Sequence, residues 1–272
     1  MLGGKDFVFE CGDAHLKICL LIPHYNHHLQ FIAFLPKLKK SGLPLVAIDD
    51  GSDGESYRAI SEALKEDADC YLHRLPQNRG KGAAASVGMT YARILGFTHV
   101  LQIDADGQHA VDDIEKFLDV AANYPDAIIS GKPLFDSSAP KMRVYGRKVT
   151  DFWVALETLS TQVKDSLCGF RVYPLHQVET LIDHYHLGPR MDFDTEILVK
   201  AVWSGVPLKY VQTQVVYPEG NVSHFNYLRD NLDLIHLHVR LMLGMLIRMP
   251  VMIAKRIARL WGADKRNEDQ SQ

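Results

Sequence analysis

Cysteine is scarce and unpaired in this sequence. Cys11, Cys19, Cys70 and Cys168 are the only four in 272 residues, and none forms the C-x-x-C spacing of a zinc or dithiol site. Cys19 and Cys70 fall in apolar strand-like runs and read as small core residues, which points to a reducing compartment. An excess of positive charge is lacking too: 30 Lys and Arg against 33 Asp and Glu give a formal net charge of -3. Domains that bind phosphate backbones are usually basic, so nucleic acid is not expected as a partner. Residues 1–15 carry Asp6, Glu10 and Asp13 and no long apolar run, so no secretory signal is expected there. No internal repeat or low-complexity linker is visible. What is there is ordinary for a soluble globular chain, with 47% apolar and 23% charged residues. That suffices for one large α/β domain with a full core and a short appendage.

Short apolar runs at 16–22, 43–48, 70–74, 99–103 and 127–130 read as strands. Between them, residues 28–40, 56–65, 83–95 and 111–122 carry helical spacing, with Pro36 predicted to kink or split the first. Strands alternating with helices predict a parallel sheet with right-handed crossovers. In such a sheet the ligand sits beyond the carboxyl ends of the strands. Residues 132–147 read as a loop, 148–159 and 195–204 as helices, and 208–216 as a strand.

The loops at that edge hold the chemistry. Asp104-Ala105-Asp106 ends a buried strand and places two carboxylates at i and i+2, a donor set suited to a hard divalent cation. Gln108 and His109 add neutral donors. Taken alone the triplet is better read as a turn leading to a helix cap. Asp49-Asp50-Gly51-Ser52 follows the second strand, where acidic residues often bind ribose or base edges; an Asx-turn is the alternative. Ile22-Pro23-His24-Tyr25-Asn26 exposes backbone after the first strand, or is a plain turn. Asn78-Arg79-Gly80-Lys81-Gly82 is cationic, flexible and opens a helix, which favours phosphate. It lacks Walker spacing, and a basic turn is the alternative.

The order of these motifs, IPHYN, DDGS, NRGKG and DADGQH, each after a strand, resembles the family 2 glycosyltransferases of GT-A fold over residues 16 to 220. Asp165-Ser166-Leu167-Cys168-Gly169-Phe170-Arg171 resembles the D-x-x-C-G-F-[KR] segment of the dolichyl-phosphate mannose synthase and polyprenyl-phosphate glycosyltransferase branch. The resemblance implies a mostly parallel Rossmann-like sheet flanked by helices and a nucleotide-sugar donor, UDP- or GDP-linked. It places Pro23, Tyr25, Asp50, Lys81 and Asp104 at the nucleotide. A divalent metal, Mn2+ or Mg2+, is implied at Asp104, Asp106 and Gln108, with Asp106 also catalytic. Arg143 and Arg147 fall where the branch places arginines near the acceptor phosphate, and His224 is a further candidate for metal or diphosphate. Asp194 and Glu196 lie where such enzymes often carry an acidic residue near the acceptor. A hydroxyl acceptor would need one of them as general base. A phosphate acceptor, with a second pKa of about 6, would not. Asp194 as the cap of the following helix is the alternative. The reaction expected is sugar transfer with inversion, the acceptor a membrane lipid such as a polyprenyl phosphate.

Residues 226–262 depart in composition, being rich in Leu, Ile and Met. Asp233, His236, Arg240, Gly244, Arg248, Lys255 and Arg259 share one stripe at helical spacing, and Pro250 predicts a break at Met249. A spanning helix needs about 20 apolar residues, and Arg240 and Arg248 would each cost about 2.5–3.5 kcal/mol at the bilayer centre. Helices lying in the membrane interface, basic residues toward anionic headgroups, are therefore expected. Packing on the catalytic domain or on another subunit is the alternative. The expected organisation is a catalytic domain over 1–225, an amphipathic segment over 226–262 and a disordered tail over 263–272, at the cytoplasmic face of a membrane. A nucleotidyltransferase would share the sheet, but its glycine-rich basic loop after the first strand is replaced here by Pro23-His24-Tyr25-Asn26. A non-catalytic nucleotide-sugar binder would not need the carboxylate pair.

Overall fold

The computed structural model describes residues 8–11, 14–104, 110–135, 141–214 and 227–269, and side chains for all of these except 8–11, 14, 15, 141, 143, 227–231 and 255–269. Asp106, Gln108, His109 and His224 therefore lie outside the described residues, and Arg143 is described by its backbone alone.

The elements run β1 (Val8–Cys11), β2 (Ala14–His24), α1 (His28–Lys39), β3 (Leu45–Asp49), α2 (Gly54–Leu64), β4 (Cys70–Arg74), α3 (Lys81–Ile94) and β5 (His99–Gln102). A 3-10 turn at Val111–Asp113 precedes α4 (Ile114–Asn123) and β6 (Ile128–Leu134). Then come α5 (Lys141–Thr158), β7 (Arg171–Pro174), α6 (Leu175–His184), α7 (Phe193–Ser204), β8 (Leu208–Gln214) and α8 (Tyr227–Asp269). The sheet has the order β4-β3-β2-β5-β7-β6-β8, with β1 paired to β2.

β3 and β5 both pair in parallel with β2, in registers such as Ile22↔Ala47 and Leu20↔Leu101. The strand order thus reverses at β2, and the crevice at its carboxyl end is where an open α/β sheet binds ligands. Alternation along β2 divides the core. Ile18, Leu20 and Ile22 pack with α1, α2 and α4, while Cys19 and Leu21 pack with α3, α6, α7 and α8. Both faces are covered, so the strands read as nearly unbroken apolar runs.

The sheet is not wholly parallel. β7 is antiparallel to both β5 and β6, and β1 is antiparallel to β2. β7, with its Arg and Pro, and α6 behind it carry no signal the sequence reading used. The prolines also behave differently from expectation. α1 runs unbroken through Pro36, and α8 is one helix through Pro250 that extends to Asp269, across most of the segment read as a tail. In α1, Pro36 and the residue four before it, Ile32, are both exposed. In α8 the same holds for Pro250 and Leu246. Each proline thus stands on the exposed side of its helix, where a carbonyl left without its N–H can be met by water at low cost.

In α8 two of the basic residues expected to face headgroups, Arg240 and Arg248, engage the protein. Arg240 donates to Glu196 Oε2 at 2.7 Å, and the Arg248 guanidinium lies 4.8 Å from the Trp203 ring centroid. Gly244 admits Trp203, whose Cη2 would stand 2.8 Å from an added Cβ. Arg240 and Arg248 thus engage the protein beside the buried Leu237, Leu241 and Met245, while the side chains of Lys255 and Arg259 lie outside the described residues. Leu232, Ile235, Val239, Leu243, Leu246 and Ile247 are left exposed on the opposite side.

Candidate active site

The loops after β2, β3 and β5 meet at the reversal, together with the turn that opens α3. Asp50 directly follows β3 and is 2% exposed. Its two oxygens accept from the backbone N–H groups of Arg79 and Gly80, each at 2.8 Å. Asp50 therefore shapes the NRGKG turn. Gly51 and Gly80 have φ of +71° and +100°, a backbone region that L side chains rarely adopt. Beside Asp50, Asp49 accepts from Ser52 N–H, and His24 Nδ1 and Arg74 Nε lie 3.5 and 3.2 Å from its oxygens. Burial would raise its carboxyl, but the His24 and Ser52 bonds outweigh that and hold it below the usual carboxylate range. Asn26, with φ of +53°, closes the β2 turn by accepting from Asp53 N–H while its own N–H meets Ser52 Oγ, both at 2.9 Å. Pro23 is half-buried at the end of β2, and Tyr25 stands at the rim, 43% exposed.

Lys81, the first residue of α3, reaches the centre of the cleft. Its Nζ lies 2.8 Å from Asp104 Oδ1 and 2.8 Å from Asp194 Oδ2. Burial would lower its pKa, but the two carboxylates reverse this and hold the ammonium above the ordinary lysine range. Asp194 Oδ1 accepts from Gln102 Nε2 at 3.4 Å, and Arg171 Nη1 lies 4.0 Å away. Arg171 is wholly buried, and the same nitrogen donates to the Asp194 carbonyl at 2.6 Å. Its other donors meet Ser130 Oγ and the Ser166 carbonyl. Arg171 thus fastens the start of α7 to β6 and to the loop before β7.

The DSLCGFR segment closes the cleft. Asp165 accepts from Leu167 N–H and Cys168 N–H, and both its oxygens receive Arg147 Nη1, at 2.8 and 2.7 Å. Gly169 has no room for a side chain: a Cβ there would stand 2.7 Å from Asp104 Oδ2 and 2.8 Å from Lys81 Nζ. Burial pushes the Cys168 thiol up to about 12, as befits a packing residue.

Of the residues expected at the site, Lys81, Asp104 and Asp194 come together. Arg147 is engaged by Asp165. Glu196 turns away: 1% exposed, it accepts from Gly188 N–H and Arg240, both at 2.7 Å. Burial raises its carboxyl, with the Gly188 N–H and the charge of Arg240 opposing. Gly169 and Arg171 contribute more than sequence reasoning assigned them, although both stand in a motif it singled out; Gln102 carried no signal. Among the described residues no group of three His, Cys, Asp or Glu side chains is placed to hold a metal ion. Asp104 supplies one hard oxygen donor with 27% of its side chain exposed, which fits half of the expected pair; Asp106 lies outside the described residues.

Comparison with known proteins agrees with this geometry. The family model for glycosyl transferase family 2 matches residues 19–173. A dolichyl-phosphate beta-glucosyltransferase of Dictyostelium discoideum is 26% identical over 218 residues, which make up 72% of this chain and 65% of that protein. The match thus spans just under two thirds of the relative's length. Glucosyl-3-phosphoglycerate synthase from Mycobacterium tuberculosis, crystallised with UDP, superposes with a TM-score of 0.61 at 11% identity, covering 85% of this chain and 80% of that one. A mannosyltransferase from Pyrobaculum calidifontis, in complex with GDP-Man and Mn2+, does so at 0.57 and 16%, covering 91% and 68%. With the GT-A sheet, the cleft at its strand reversal and a match across more than half its length, this chain belongs to glycosyl transferase family 2.

Proposed function

We propose that this glycosyltransferase moves a sugar from a UDP- or GDP-linked donor to the phosphate of a membrane lipid, a polyprenyl phosphate, with inversion at the anomeric carbon. One observation carries the choice of acceptor. Among the described residues, the carboxylates of these motifs have partners within the protein: Asp50 in the Arg79 and Gly80 amides, Asp165 in Arg147, Asp194 in Lys81 and Gln102, and Glu196, turned away from Asp104, in Gly188 and Arg240. A hydroxyl acceptor would need a carboxylate at liberty to take its proton. A phosphate, with a second pKa of about 6, is already a nucleophile near neutral pH. The name of the Dictyostelium relative, which refers to dolichyl phosphate, points the same way.

The donor diphosphate lies, on this reading, at the start of α3, where the helix dipole and the Lys81 ammonium both favour negative charge. Pro23 and Tyr25 flank the nucleotide. Asp50 keeps the Arg79–Lys81 backbone in the shape that presents these groups. Asp104 and Asp106, with Gln108, would hold Mn2+ or Mg2+, which when bound neutralises charge on the departing nucleoside diphosphate. Arg143 and Arg147 lie on α5, on the acceptor side.

Residues 232–254 are long and apolar enough to cross a bilayer by length and composition, with a mean hydropathy of 1.5. Arg240 and Arg248, held against the protein, favour an interfacial position instead. The exposed apolar row of α8 would enter a cytoplasmic leaflet together with Met142, Tyr145, Val149 and Phe152 of α5, which packs alongside it. This is a lipid contact through apolar side chains, not through the arginines.

The acceptor is tested with the full chain in detergent or vesicles, radiolabelled UDP- and GDP-sugars, and either polyprenyl phosphate or the parent polyprenol, with Mn2+, Mg2+ or EDTA. Transfer to the phosphate, none to the alcohol, and loss in EDTA are expected. Transfer to the alcohol at a comparable rate would overturn the reading.

A further inference from the structure

α8 does more than cover the domain: it is linked, through Glu196, to the segment that lies on the turn seating Lys81. Glu196 Oε2 accepts from Arg240 Nη2 on one side and from Gly188 N–H on the other, both at 2.7 Å. Gly188 opens the segment 188–190, which lies directly on the NRGKG turn. The Pro189 carbonyl accepts from Ala83 N–H, in the first turn of α3, at 2.9 Å. A Cβ on Gly80 would stand 2.5 Å from the Pro189 oxygen, and one on Gly82 would stand 2.6 Å from the Gly188 oxygen. Lys81 sits between these two glycines and sends Nζ to Asp104 and Asp194. The contacts thus run unbroken from α8 through Glu196 and Gly188 to the backbone on either side of Lys81.

From this geometry we infer that Arg240 is a positioning residue for the donor site, acting through Glu196 on the 188–190 segment and so on Lys81. The bond is charge-assisted and its acceptor is buried, so the segment has one defined seat while α8 is docked. Released from Arg240, Glu196 has one strong donor fewer, and the lid over Gly80 and Gly82 loosens. A displacement of about 1 Å at a positioning group can cost up to about 100-fold in rate. The consequence for donor binding rests on the glycosyltransferase reading above; the mechanical link does not.

The test uses the full chain with Arg240→Ala, Arg240→Lys and, as control on the same helix, Arg248→Ala. Arg248 packs on Trp203 and Tyr185 and has no bond to the 188–190 segment. Hydrogen–deuterium exchange of the peptides covering residues 79–85 and 187–192 reads the link directly. Donor KM and kcat, with polyprenyl phosphate as acceptor, read its effect. Arg240→Ala is expected to speed exchange in both peptides and to raise donor KM about tenfold or more. Arg240→Lys should recover part of both, and Arg248→Ala should lower Tm without moving either. Unchanged exchange in Arg240→Ala, or equal changes in Arg240→Ala and Arg248→Ala, would refute the link. Faster exchange with unaltered donor KM would refute the positioning role. A wild-type chain that transfers no sugar would count against the proposed function, and the exchange measurement would still decide the link.

Discussion

At the scale of single residues the cleft is set by close approach. Gly169 leaves room for Asp104 and Lys81 where any β-carbon would press on both. Gly169→Ala should therefore cut transfer by at least about 10-fold while the far-ultraviolet circular dichroism stays native, since displacing a positioning group is costly in rate and the nearest atoms are mobile side-chain ends. Wild-type kinetics in that variant would mean the pair can move aside freely. Asp151, on α5, tests the electrostatics next door. Burial, and then the charge of Asp165, push its carboxyl up to about 6 from 3.8, with Ser166 N–H and Arg147 opposing. The folded state keeps this proton to a higher pH than the unfolded chain. The contribution to stability is thus complete below about pH 4 and is lost as pH rises through about 6. Asp151→Asn should melt higher than wild type at about pH 7.5, by roughly 1–2 kcal/mol after allowing for partial exposure. The gain should vanish near pH 4, and thermal melts at the two pH values check both the sign and the window.

At the scale of elements, strands enclosed on both faces announced themselves. β2, β3 and β5 are apolar because helices cover them on each side, and β4 was bounded by its turns. β7 did not, because Arg171-Val172-Tyr173-Pro174 has neither an apolar run nor alternation to mark it. Its arginine is satisfied by carbonyls and a hydroxyl from three separate segments, a partnership that no spacing in the sequence reveals. The site was legible to the same degree. Lys81 and Asp104 each follow a strand in a loop of unusual polarity, so their meeting could be read from the alternation of strands and helices. The commitments of Asp50, to the Arg79 and Gly80 N–H groups, and of Glu196, to Gly188 N–H and the Arg240 side chain, follow no spacing in the sequence and could not be. Arg171→Met should accordingly cost about 3–5 kcal/mol in chemical denaturation, because it leaves the buried Asp194 and Ser166 carbonyls without their donor and takes a positive charge from beside the Asp194 carboxylate. A loss below about 1 kcal/mol would show that the knot is dispensable for stability.

At the scale of the whole molecule, α8 belongs to the catalytic domain as much as to any membrane. Leu237, Leu241 and Met245 lie in the same core cluster as β2 and α3, and His238 bonds to the buried Glu157 at 2.7 Å. Removing the helix would strip one face of the domain, so truncation is a poor probe of lipid contact. Charges on its outer row are a clean one. Leu243 and Ile247 are 58% and 78% exposed and lie one turn apart. Replacing both by glutamate should leave Tm within a few degrees of wild type, since surface changes away from packed groups usually stay within about 0.5 kcal/mol each. In a membrane interface the same pair gives up apolar burial worth roughly 1.5–3 kcal/mol per side chain and adds repulsion from anionic headgroups. Flotation with vesicles of mixed neutral and anionic lipid should then fall by more than about 10-fold. If the double variant floats as well as wild type, the row faces another protein surface or water, and the lipid acceptor would have to reach the cleft without α8 at the membrane.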